Sequence, residues 1–180
     1  MLRKLLFIFL LAGDGSAAPA PRRTLADVKP VSGGVSAIVD LDVDDLAPAT
    51  AARFDADHSG SIETPEIEAN EATLAALVAH GLVCLRGDTR CVPEVRGSRF
   101  NPDAQMLRVH VWHACADDGP LRVSLPLLER LQARQEVFLT VRLSHGIDGK
   151  VLTAEAPTWE ETPPSRWQRL QAWWRRVRGG

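Results

Sequence analysis

The stretch Asp55-Ala56-Asp57-His58-Ser59-Gly60-Ser61-Ile62-Glu63-Thr64-Pro65-Glu66 constrains this chain more than any other part of it. Asp55, Asp57 and Ser59 occupy loop positions one, three and five. Gly60 falls at position six, where a tight metal loop needs its sharp turn. Ser61 offers a backbone carbonyl at position seven, and Glu63 at position nine can act through a water. Glu66, at position twelve, can close the shell with both carboxylate oxygens. A hard cation such as Ca2+ takes about six to eight oxygen ligands, and every slot here carries one. The spacing is that of an EF-hand-type calcium loop. His58, at position four, points away in such loops and is not counted as a ligand.

A loop of this kind needs a helix on each side. Asp44–Phe54 is expected to form a short one, with Pro48 tolerable only in its first turn. Thr64 is a natural N-cap and Pro65 suits the first helical position. Ile67, Leu74, Leu77 and Val78 then share one side of a helix that ends near Gly81. Sensor proteins open a groove between paired helices. Only one such loop is present here, so it is expected to stabilise its own helix pair.

Elsewhere the apolar period is two. In Val35–Val43, residues Val35, Ala37, Val39, Leu41 and Val43 share a face, which is a strand signal. Leu82–Leu85 and Arg90–Val95 are expected to form a hairpin around Arg86-Gly87-Asp88-Thr89. Met106–Cys115, Leu121–Leu128 and Val137–Leu143 follow as strands, then a turn at Gly146–Gly149 and Val151–Ala156. No internal repeat is evident. The expected fold class is α+β: a small antiparallel β-sandwich or curled sheet of five to seven strands, with an inserted EF-hand-like helix–loop–helix over residues 44–81 and a C-terminal amphipathic helix. The β-rich domain is expected to span residues 35–156.

The ends of the chain have a different composition. Arg3 and Lys4 precede the apolar run Leu5–Ala12, and small residues follow, which is the layout of a signal peptide over residues 1–17. That run is too short to span a membrane, which takes roughly 20 apolar residues. Residues 18–34, rich in Pro, Ala and Gly, are expected to be a linker, as are residues 157–164. In residues 165–180, Ser165 and Gln168 suit a capping box. Trp167, Leu170, Trp173, Trp174 and Val177 fall within a helical arc of about 120°. Arg166, Arg169, Arg175, Arg176 and Arg178 accompany them. Such a helix suits either a membrane interface or docking on the domain itself.

The chain has 180 residues, 45% of them hydrophobic, and a net charge of −2. This charge argues against a general nucleic-acid binder. Cys84, Cys91 and Cys115 in an exported chain suggest one disulfide and one leftover thiol. Both Cys91–Cys115 and Cys84–Cys91 are open to it. His80, His110, His113 and His145 fit no metal spacing and are expected to be surface residues. No Gly-x-Ser-x-Gly elbow and no Gly-rich phosphate loop occurs. Arg86-Gly87-Asp88 is expected to be an ordinary hairpin turn.

The order of these pieces resembles the N-terminal exported domain of HupE/UreJ-like membrane proteins. The likeness covers about Val35 to Glu155. It rests on Asp55-x-Asp57-x-Ser59-Gly60 with Glu66, on Gly87-Asp88-Thr89-Arg90-Cys91, and on the strand Leu107–Cys115. The resemblance implies that Cys91 pairs with Cys115, leaving Cys84 as the odd one. That family continues into a membrane domain for nickel or cobalt handling. No apolar run here reaches spanning length, so transport is not carried over.

The function expected is therefore a non-enzymatic, calcium-binding accessory or binding domain, periplasmic or secreted. Its Ca2+ ligands would be Asp55, Asp57, Ser59, Ser61, Glu63 and Glu66. One alternative is a membrane-surface partner of an integral membrane protein, acting through the Trp/Arg helix. The other is a hydrolase whose site is assembled from distant residues.

Overall fold

A computed structural model of the chain describes residues 23–162. The expected signal segment, and the expected helix carrying Trp167, Leu170, Trp173, Trp174 and Val177, lie outside the described residues. The described fold is mostly β, built on two sheets, with one long helix.

Ten strands are present among the described residues: β1 (Leu25–Val31), β2 (Gly34–Asp42), β3 (Val83–Arg86), β4 (Thr89–Arg90), β5 (Val92–Asn101), β6 (Met106–Ala114), β7 (Leu121–Ser124), β8 (Val137–Leu143), β9 (Gly146–Leu152) and β10 (Thr158–Glu160). The large sheet runs in the order β5-β6-β2-β1-β8-β9 and the small one β10-β7-β3-β4. All pairs are antiparallel except β1 with β8. The long connection from β1 to β8 makes that parallel pairing possible, since a tight hairpin can join only antiparallel neighbours.

Strand β1 corrects the linker expected at residues 18–34. Its Ala26 and Val28 are buried while Asp27 and Lys29 face outward, so the alternation is real but carried by small residues. Pro30 is accommodated at the end of the hairpin, opposite Val35. Strand β5 extends well beyond the expected Val95, with a bulge between Val95 and Gly97. The strand expected at Leu121–Leu128 stops at Ser124, where Pro126 opens a short 3-10 segment. The turn before β9 lies at Ser144-His145 rather than Gly146–Gly149, because Leu143 pairs directly with Gly146. Leu85 pairs with Arg90 and Arg86 with Thr89, which leaves Gly87-Asp88 as the turn of that hairpin.

Two helices flank the acidic loop. The first, α1 (Pro48–Ala51), is a single turn, shorter than the segment expected, because Val43–Asp45 forms a separate 3-10 turn. The second, α2 (Thr64–Gly81), is long. Its N-cap is Glu63, one residue before the expected Thr64. Ile67, Leu74, Ala75, Val78 and Ala79 of α2 are buried. They join one continuous core with Val39 and Leu41 of β2, Leu107 and Val109 of β6, and Leu121 and Val123 of β7. Helix α2 lies against β5 and β6, and Ser98 of β5 donates a 2.5 Å hydrogen bond to Glu71.

Cys91 and Cys115 form a disulfide, with Cα atoms 4.4 Å apart. Cys84 is a free, buried thiol whose pKa burial pushes up to about 12. His113 is fully buried on the core face of β6, which corrects its expected place on the surface. Neither of its ring nitrogens has a hydrogen-bond partner.

Candidate metal centre

Helix α1 ends as Asp55 donates its backbone N–H to Ala51 O at 3.2 Å. The chain then reverses direction before α2. That reversal needs left-handed backbone at two points, His58 (φ 59°) and Gly60 (φ 91°). Gly60 adopts this conformation without the penalty a side chain would bring. Phe54, just before the loop, is buried in the core and Ile62 packs against it, so the loop is pinned at two apolar points.

Hydrogen bonds from the reversed backbone fix the carboxylates. Asp55 accepts from Ser59 N–H at 3.0 Å and from Gly60 N–H at 2.9 Å, one on each oxygen. Asp57 accepts from Ser59 N–H at 3.0 Å. That backbone bond lowers the Asp57 pKa, so the group is ionised at neutral pH. Glu66, in the first turn of α2, reaches back across the loop. Its Oε1 accepts from Ala56 N–H at 2.5 Å and Asp57 N–H at 3.3 Å, and its Oε2 accepts from Glu63 N–H at 3.0 Å.

Asp55, Asp57 and Glu66 thus converge, with one oxygen of each lying within 4.8 Å of the others. Asp55 is buried, Glu66 half-buried and Asp57 exposed. Three carboxylates this close repel one another unless a cation intervenes. The ion pairs among the described residues join Arg23–Glu136, Arg96–Glu94, Arg108–Asp40, Arg122–Glu160 and Arg142–Asp27, and none reaches the loop. The charged donors are oxygens only, which suits a hard cation better than zinc or copper.

The chain matches no known protein family and no curated protein.

Of the six expected ligands, three form this group. Ser59 and Ser61 lie in the same loop, where the Ser59 hydroxyl donates to Ser61 O at 3.1 Å. Glu63 is the helix N-cap and is not part of the converging trio. A cleft of about 410 Å³ adjoins the loop, and its lining includes Asp55, Ser61 and Ile62 together with Val43, Leu46 and Gln132. Gln132 had no signal in the sequence; it follows the 3-10 segment and reaches the cleft only through tertiary packing.

Proposed function

We propose that this chain is an exported, non-enzymatic calcium-binding module, in which Ca2+ ties the start of an EF-hand-type loop to the first turn of α2. The convergence of Asp55, Asp57 and Glu66, with no ion pair to any of them among the described residues, carries this reading. The loop spacing supports it: an oxygen donor falls at each ligand position, and glycine stands where the backbone turns. Ser61 O and water would complete the shell. The disulfide fits an oxidising compartment, the periplasm or the exterior. Calcium is abundant outside cells, where affinities of about 0.1–1 mM suffice for such modules. The resemblance to the exported domain of HupE/UreJ-like proteins points the same way, towards an accessory or binding role.

Calorimetry on the chain without its first 17 residues tests the proposal. One calcium site is expected, and it should vanish in Glu66→Ala. A flat titration up to several millimolar calcium would refute it.

A further inference from the structure

Helix α2 and the small sheet cover one face of the large sheet. No described element covers the other. Alternation along the strands places Leu25 and Val31 of β1, Phe138 of β8, Ile147 and Val151 of β9 and Val92 of β5 on that open face. All six are exposed, and Val95 is the sole exposed large hydrophobic that faces the other way among the described residues. Four of the six gather at one edge. Leu25, Phe138 and Val151 stand in a single row across three strands, and Ile147, 69% exposed, lies beyond Gly149 on β9.

The chain leaves the described structure at that same edge. Thr162 lines one cleft with Ile147 and Trp159, and the Trp159 indole N–H donates to Asp148 of β9 at 2.8 Å. Only Pro163 and Pro164 separate Thr162 from Ser165. Two extended residues span roughly 7 Å, so whatever follows begins beside β9. A helix over Ser165–Arg178 would be about 21 Å long at 1.5 Å per residue. The six strands span about 24 Å at their usual spacing, so the two lengths match. The exposed carboxylates of the open face are already engaged, Asp27 by Arg142, Asp40 by Arg108 and Glu94 by Arg96. The attraction of this face for the segment is therefore apolar, and the arginines would stay in water.

We propose that residues 165–178 of the chain itself cover the open face, laying Trp167, Leu170, Trp173 and Trp174 on the Leu25–Phe138–Val151 row and Ile147. The segment is tethered next to its site, so its effective concentration there is high and no partner need be recruited. The Trp and Arg composition then serves the fold rather than a membrane. This inference is independent of the calcium reading, and the two can fail separately.

Limited trypsin digestion of the whole oxidised protein, in the absence of lipid, is the test. The bonds after Arg166 and Arg169 should be protected. Protection should be lost in Phe138→Ser with Ile147→Asp, while the body keeps its melting transition and its disulfide. If the double variant does not fold, Ile147→Asp alone serves, since that side chain is largely in solvent. Equal cleavage of wild type and variant would overturn the proposal. So would protection that appears only with anionic phosphatidylglycerol vesicles, which would assign the segment to a membrane. Protection unchanged in the variants would place its contact elsewhere and overturn the proposal too.

Discussion

Glu66 reaches both ends of its loop, and its two roles can be separated by substitution. One role is closure: its oxygens hold the backbone of Ala56, Asp57 and Glu63. The other, under the proposed function, is charge for a cation. Glu66→Gln keeps an acceptor oxygen and the size but removes the charge, and calcium affinity should fall by about tenfold or more, near 1.4 kcal/mol. Glu66→Ala should remove binding entirely. It should also lower the stability of the calcium-free protein by about 1 kcal/mol, the usual loss when a helix start loses its side-chain acceptor. Calorimetry and denaturant melts of both variants check these outcomes.

His113 makes a second residue-scale case. Burial, aided by the nearby Arg90 charge, lowers its pKa to about 4 from 6.5. The folded state therefore keeps the ring neutral where the unfolded state would protonate it. Stability is complete above about pH 6.5 and falls as pH drops towards 4, by about 3 kcal/mol in all. In His113→Leu the slope attributable to this residue should disappear. Neutral-pH stability should stay level or rise, because the unpartnered nitrogens go with the ring. Melts between pH 4 and pH 7 measure this. The convergence of Asp55, Asp57 and Glu66 could be read from sequence because the three carboxylates lie within twelve residues of one another around a single turn. His113 was harder: it shares parity with Leu107, Val109 and Val111, but ordinary expectations for histidine place it at the surface.

At the level of elements, the disulfide joins the start of β5 to the chain just after β6, closing a hairpin of sequence separation 24. A loop of that length gives about 3 kcal/mol through the restricted unfolded chain. Cys91→Ser with Cys115→Ser should lose about that much, and Cys84 should stay unreactive towards thiol reagents until the protein unfolds. Rapid labelling of Cys84 in the native state would contradict its burial. The elements that sequence disclosed were those with bulky alternation, such as β2, β6 and β8. Strand β1 was hidden because its buried positions are Ala26 and Val28 and it contains Pro30. It is nonetheless central, held by β2 on one side and by β8, more than a hundred residues later, on the other. Local pattern cannot disclose a pairing made at that distance.

Across the whole molecule, a single core links the loop to the sheets, since Phe54 before the loop and Ile67 after it belong to the same buried cluster as both sheets. Energy released at the loop should therefore be felt in global unfolding, not only in local fraying. If the loop binds calcium as proposed, calcium at about ten times its Kd should stabilise by RT ln 11, about 1.4 kcal/mol, provided the unfolded chain does not bind it. For a domain of this size that corresponds to a rise in melting temperature of roughly 3–5 °C. Leu74→Ala supplies the contrast. It removes a fully buried side chain of α2 far along the helix from the loop. It should lower stability by about 2–5 kcal/mol, while the calcium-induced increment stays nearly the same, because Leu74 is eight residues beyond Glu66, about 12 Å along the helix. Scanning calorimetry of wild type and Leu74→Ala, each with and without calcium, measures both quantities. Binding by calorimetry with no change in melting temperature would mean that the loop opens independently of the core. The shared cluster of Phe54 and Ile67 would then not couple the loop to the fold.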